Sequence, residues 1–154
     1  MKSLRLPIAA LALCCAVAAC QVKDDAPADG GFKPIPAPAD VATPPANAQR
    51  TPSGIASKVL QVGLGSIHPG PTSMVRVIYT GWTADGKMFD SSLKTGEPAV
   101  FPLNQVIRGW TEALQLMVVG EKRRFWIPGN LAYDGQPGKP QGQLCFEIEL
   151  LDLR

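Results

Sequence analysis

The sequence predicts an α+β domain in which a mostly antiparallel sheet of about five strands wraps around one short helix. Three observations carry that expectation. Residues 74–82 are rich in β-branched and aromatic side chains, and in residues 143–153 Leu144, Phe146, Ile148 and Leu150 alternate with Cys145, Glu147 and Glu149. Ala84-Asp85-Gly86-Lys87 is a hairpin turn, because Asp-Gly tolerates positive φ. Only residues 108–117 repeat at helical spacing, with Trp110, Ala113, Leu114 and Met117 on one face and Thr111, Glu112 and Gln115 on the other.

Taken in order, residues 58–62 form a short first strand ended by Gly63 and Gly65, and His68-Pro69-Gly70-Pro71 is a turn cluster. Residues 74–82 make the second strand, and 87–91 return as its hairpin partner. The helix begins at Arg108 and is stopped by Gly120. Residues 122–127 and 143–153 complete the sheet. The last strand has one buried and one wet face, so Cys145 is expected on the wetter face or in a second, smaller contact, as an inert thiol.

Composition narrows the chemistry. The 154 residues suit one domain, and 15 basic against 13 acidic side chains give a formal charge of only +2, which supplies no drive toward nucleic acid. Lys122-Arg123-Arg124 with Arg108 is read as solvent-facing strand charge. His68 is the one histidine, so neither a His-based metal cluster nor a His dyad can form. Neither metal nor cofactor is expected.

The N-terminus reads as a targeting segment. Lys2 and Arg5 precede an apolar run over residues 6–19, which is shorter than the roughly 20 residues needed to span a bilayer. Val17-Ala18-Ala19-Cys20 resembles the lipobox of bacterial lipoproteins, in which cleavage precedes the cysteine and its sulfur is acylated. The alternative is an ordinary secretory signal cut near Ala18 or Ala19. Residues 1–19 are thus expected to be the signal, with Cys20 as the lipidation site. Loss of Lys2 and Arg5 balances the remaining basic side chains against the 13 acidic ones. It also leaves Cys145 without a disulfide partner. Gln21 after the cysteine favours the outer membrane.

Residues 20–52 are expected to be the lipidated cysteine and a Pro-rich disordered linker. Seven of the 15 prolines lie there (Pro27, Pro34, Pro36, Pro38, Pro44, Pro45 and Pro52), Phe32 is the only aromatic, and no apolar face repeats. The simplest role is a spacer; the alternative is a recognition motif for a proline-binding partner. Residues 53–154 form the globular domain.

Within that domain a family resemblance is carried by several co-linear motifs. Val77-Ile78-Tyr79-Thr80-Gly81, followed by Asp85-Gly86-Lys87-Met88-Phe89-Asp90-Ser91-Ser92, resembles the corresponding run of FKBP-type peptidyl-prolyl cis–trans isomerases. The segment from Phe101 to Trp110, including Val106-Ile107-Arg108-Gly109-Trp110, is similar to the start of that family's helix. Lys122-Arg123-Arg124, Leu131-Ala132-Tyr133 and Phe146-Glu147-Ile148-Glu149-Leu150-Leu151 follow in the family's order. The resemblance implies an FKBP-like fold and isomerisation of Xaa-Pro bonds.

That activity is plausible chemistry for these residues. Rotation about a peptide bond faces a barrier of about 18–20 kcal/mol, and the bond before proline exchanges over tens to hundreds of seconds. A site that eases it needs no nucleophile, only a dry apolar bowl that accepts a twisted amide. The resemblance implies that Trp110 is the floor and that Phe89, Phe101, Val106, Ile107 and Phe146 are apolar walls. It implies that Tyr79 and Asp90 lie beside the substrate carbonyl, with the Tyr133 hydroxyl and the Ile107 N–H as hydrogen-bonding groups. Departures from the macrolide-binding members are Ala99 for an aromatic, Ile78 for a His, Asp134 for a Gly, and a shorter loop after Tyr133, which together imply a more open pocket.

The expected protein is therefore a monomeric isomerase held in the bacterial cell envelope, periplasm-facing at the outer membrane, through Cys20. Its partners are proline-containing polypeptides and the membrane, not nucleic acid. The rivals are a peptide-binding or chaperone module with little turnover and a structural surface lipoprotein.

Overall fold

The computed structural model of the protein describes residues 31–154, so the expected signal, Cys20 and linker residues 21–30 lie outside the described residues. The strands are β1 (Gln49–Arg50), β2 (Ala56–Gln61), β3 (Met74–Thr83), β4 (Met88–Ser91), β5 (Ala99–Pro102), β6 (Lys122–Ile127) and β7 (Leu144–Leu153), and the helix is α1 (Arg108–Leu114). They form one sheet in the order β1-β2-β6-β7-β3-β4, and β5 pairs with the first half of β3. Every strand pairing among the described residues is antiparallel.

All five strands read from the sequence are present. Two more join them, and the sheet has seven rather than about five. β5 has four residues and β1 two, too few for a period of two to stand out. The hairpin between β3 and β4 turns at Gly86 with φ 88°, as the Asp-Gly pair requires. The helix is shorter than its periodicity implies and ends at Leu114 instead of Met117. Beyond Leu114 the chain tightens: the N–H groups of Leu116 and Met117 reach back only three residues, to the carbonyls of Ala113 and Leu114, at 3.1 Å each. Met117 stays fully buried despite leaving the helix.

The sheet's inner face meets α1. Val75 and Val77 from β3, Phe125 and Ile127 from β6, and Ile148 and Leu150 from β7 close over Ala113, Leu114 and Met117, all wholly buried. Alternation along the strands sends the opposite residues outward. The register aligns Ala56, Trp126, Cys145 and Trp82 as one row across β2, β6, β7 and β3 on the outer face.

That row is buried too, which corrects the expectation of a solvated linker for the described part of residues 20–52. Trp82 is 2% exposed, Trp126 1% and Cys145 0%. Their cover is the Pro-rich segment itself. The Trp82 indole N–H donates to the Ile35 carbonyl (2.9 Å) and that of Trp126 to the Asp40 carbonyl (2.8 Å). Val41 and Ala48 pack on Ala56, Trp126 and Cys145, and β1 then pairs with the edge strand β2. Composition did signal an extended chain, since prolines without N–H groups cannot join a ladder internally. It could not signal that a surface with outward tryptophans was waiting for it.

The basic run also differs from the expected solvated face. Arg123 is buried and its Nε meets Glu121, 2.5 Å away, while Arg124 lies between Glu147 and Asp40 and Lys122 stands 3.5 Å from Glu147.

Candidate active site

Between the N-terminal end of α1 and the inner face of the sheet lies a cavity of about 620 Å³, within the range of small-ligand sites. Its floor is Trp110, delivered by the first turn of α1 and only 4% exposed. Three aromatic contacts hold the ring edge-to-face within the surrounding cluster. Trp110 meets Tyr79 at 5.0 Å between centroids, Phe101 at 5.7 Å and Phe146 at 5.4 Å, with interplanar angles above 80°. Phe89 then meets Phe146 at 5.5 Å. Such pairs stabilise by about 0.5–1.5 kcal/mol each beyond burial, so the floor is rigid.

Gly81 makes this packing possible. A Cβ there would stand 2.7 Å from both the Phe146 and Phe89 rings, so any side chain would push apart the wall shared by β3, β4 and β7. The glycine of the Tyr-Thr-Gly motif is a steric requirement of the cavity.

The polar side comes from β3 and β4. The Tyr79 hydroxyl donates to Asp90 Oδ2 at 2.6 Å, and the Ser91 N–H donates to Asp90 Oδ1 at 2.9 Å. The two serines that follow fix the hairpin. Ser92 Oγ accepts from the Tyr79 N–H (3.0 Å), and Ser91 Oγ donates to the Tyr79 carbonyl (3.0 Å). Burial pushes the Tyr79 phenol far above its ordinary pKa, and the Asp90 carboxylate adds to that. Tyr133 is raised for the same reasons, burial first and the charge of Asp90 second. Both phenols therefore keep their protons at neutral pH.

Val106 and Ile107 line the cavity from the turn before α1, whose first N–H groups point back to the Ile107 carbonyl: that of Trp110 at 2.9 Å. Tyr133 faces them from the far rim, with the Lys139 ammonium 5.6 Å over its ring. Tyr79, Phe89, Asp90, Phe101, Val106, Ile107, Trp110, Tyr133 and Phe146 are thus brought together around one hollow. Cys20 lies outside the described residues. Ala99 shares a face of β5 with Phe101, but its methyl does not reach the cavity lining.

Two features had no sequence signal. The Trp110 indole N–H is buried without a hydrogen-bond partner, although the residue lines the cavity. Gln141 organises the loop after Tyr133: its Nε2 donates to the carbonyls of Tyr133 (3.2 Å), Gln136 (3.0 Å) and Lys139 (2.8 Å), and its Oε1 accepts from the Gly135 N–H (2.9 Å). A glutamine in a Gly-Pro loop has no pattern that announces such a role.

Residues 65–151 match the family model of the FKBP-type peptidyl-prolyl cis–trans isomerases. The chain belongs to that family. It is similar to the FKBP-type peptidyl-prolyl cis–trans isomerase FkpA of Aeromonas hydrophila, 50% identical over 66% of this chain and 38% of that protein. It is also similar to the outer membrane protein MIP of Legionella longbeachae, 44% identical over 67% of this chain and 46% of that one. The chain spans under half the length of these two relatives. Among solved structures, the crystal structure of a peptidyl-prolyl cis–trans isomerase of Pseudomonas syringae pv. tomato matches with a TM-score of 0.63 and 38% identity. That match covers 71% of this chain and 82% of the other. The FKBP-like α+β fold is therefore shown on both sequence and structure.

Proposed function

We propose that the chain is a peptidyl-prolyl cis–trans isomerase acting on exported or envelope polypeptides. The observation that carries this reading is the rigid aromatic hollow over Trp110, open to solvent and bordered on one side by the Tyr79–Asp90 pair. A prolyl ring seated on the indole is held by apolar contact, while the amide before it leaves water. Hydration favours the planar, more polar amide, so its removal lowers the cost of the twisted form.

In this reading the walls from Phe89, Phe101, Val106 and Phe146 exclude water. The Asp90 carboxylate, locked by Tyr79 and the Ser91 N–H, presents fixed charge beside the rotating carbonyl. The Ile107 N–H, at the cavity edge just before the helix, is the donor to a bound peptide, and Tyr133 offers a protonated hydroxyl. No bond to the substrate other than hydrogen bonds is made or broken.

One relative is named an outer membrane protein, which supports an envelope site of action. We infer acylation at Cys20 as the anchor, with residues 1–19 as its signal and the isomerase domain held as a monomer. Protease-coupled isomerisation of Xaa-Pro peptides by the full chain tests the activity, and absence of catalysis overturns it. Incorporation of labelled palmitate that survives Cys20→Ser overturns the anchor.

A further inference from the structure

The outer face of the sheet is built as a reader of extended chain. Trp82 and Trp126 aim two indole N–H groups away from the core, and both end on main-chain carbonyls, those of Ile35 and Asp40. The segment reaches Ile35 as extended chain without internal hydrogen bonds of its own. It then turns at Asp40, where the Val41 N–H donates to the Pro38 carbonyl (3.0 Å) and the Asp40 carbonyl accepts the Thr43 N–H (3.2 Å) as well as the Trp126 indole. β7 separates β3 from β6, so strand spacing sets the two tryptophan backbones about 10 Å apart. Five residues of extended Pro-rich chain reach about 15 Å, enough to cross from one to the other obliquely.

Charge gives the crossing a direction. The Arg124 guanidinium lies 5.9 Å over the Trp126 ring and is oriented by Glu147, whose Oε1 its Nε and Nη2 reach at 3.0 and 2.5 Å. Its Nη1 takes the Asp40 carboxylate. Gln143 Nε2 then donates to the Ala42 carbonyl at 3.0 Å. At the other end the Ile35 N–H meets Met88 Sδ at 3.4 Å. Aromatic side chains are the platform of polyproline recognition, and the arginine beside them adds a charge-assisted site for one carboxylate.

We propose that this face is a second polypeptide-binding site, separate from the isomerase cavity, that takes a proline-rich segment running extended from its first anchored carbonyl and turning at a carboxylate five residues later. Residues 34–48 occupy it in cis. The occupant's recognition is mostly through main-chain carbonyls and one acidic side chain, so other Pro-rich chains with the same spacing fit it. The inference is independent of isomerase activity, because the cavity lies on the opposite face of the sheet.

The test uses the full chain with residues 34–41 replaced by an equal length of Gly and Ser, and a synthetic peptide of residues 31–50 added in trans. Cys145 lies beneath the segment, so its alkylation, resolved by mass to that residue, reports occupancy of this face and is blind to peptide in the cavity. The replaced chain is expected to alkylate at Cys145 at least ten-fold faster than the intact one. The peptide should restore protection saturably, and its Asp40→Ala form should bind roughly ten-fold more weakly. The intact chain should ignore added peptide, since a tethered occupant competes at millimolar effective concentration. Unchanged protection in the replaced chain, or exposure that no peptide reverses, overturns the proposal. Should the replacement prevent folding, the full chain with a protease site inserted at the exposed Pro52-Ser53-Gly54 turn is folded first and then cut. Exchange of the released segment for labelled peptide supports the site, and a lost segment with Cys145 still protected overturns it.

Discussion

The Tyr79 hydroxyl and the Asp90 carboxylate meet at 2.6 Å at the polar edge of the cavity, and each explains the other's state. Burial, with the carboxylate adding to it, keeps the phenol protonated, and the phenol, with the Ser91 N–H, holds the carboxylate in one rotamer. A fixed charge beside a rotating carbonyl costs no reorganisation during the twist. Asp90→Ala is expected to lower kcat/KM on Xaa-Pro peptides more than ten-fold, or about 1.4 kcal/mol of barrier, with the fold intact by circular dichroism. Trp110→Ala should do the same by removing the floor. Full activity in both variants removes the site assignment.

Gln141 makes four hydrogen bonds to the backbone of the loop that carries Tyr133. Gln141→Ala frees that loop without touching the aromatic floor. The expected result is a several-fold higher KM with kcat little changed, because the walls over Trp110 are unaltered. Faster proteolysis within residues 134–142 should accompany it. A fall in kcat at constant KM argues against this positioning role.

Ala99 stands two residues from Phe101 on β5 and, unlike it, does not line the cavity. Titration with tacrolimus, followed by tryptophan fluorescence, should show weak binding. Ala99→Phe should tighten it by adding apolar wall, at roughly 25 cal/mol per Å² buried. Tight binding by the unaltered chain contradicts the open-pocket account.

How much of this was legible in the sequence depends on the range of the interactions. The β3–β4 hairpin, β7 and the helix face are local periodicities, and they were found with small errors at the ends. The site residues came from co-linear motifs, whose physical content the structure supplies: Gly81 spares the Phe89 and Phe146 rings, and Ser91 and Ser92 fasten Tyr79. What stayed hidden depends on contacts between distant positions. Trp126 to Asp40 spans 86 residues, and Arg124 to Asp40 spans 84. The charges at 122–124 likewise look like a solvated run until Glu121, Glu147 and Asp40 are seen facing them.

Glu121 and Arg123 make the clearest stability prediction. They are 5% and 7% exposed, and Glu121 Oε2 also accepts the Val118 N–H at 3.2 Å. Removing the acid leaves a buried guanidinium with Gln49, at 3.4 Å, as its one side-chain hydrogen-bond acceptor among the described residues and the Phe125 ring 6.0 Å away. Glu121→Ala is expected to cost about 3–5 kcal/mol in urea unfolding. Replacing both by Met should recover most of that loss, because the desolvation of both charges disappears with them. Isomerase kcat/KM should be unchanged while the chain is folded, since neither residue lines the cavity. A loss below 1 kcal/mol in the single variant argues that Arg123 is hydrated after all.

Cys145 predicts how stability responds to alkali. Its burial pushes the thiol from 9.0 up to about 12, against a smaller opposing pull from Arg124. The unfolded thiol gives up its proton near pH 9, whereas the folded one keeps it. Above that point the folded state binds more protons, so stability falls as pH rises. The contribution is complete below pH 9 and disappears between about 9 and 12. The melting temperature of the chain should therefore slope downward from pH 8.5 to 10, a window that precedes most of the titration of the raised phenols Tyr79 and Tyr133. Cys145→Ala lowers the whole curve by the cavity it leaves but should flatten it in that window. Parallel curves for the two proteins contradict the assignment, and they also indicate that residues 34–48 do not keep water from this face of the sheet.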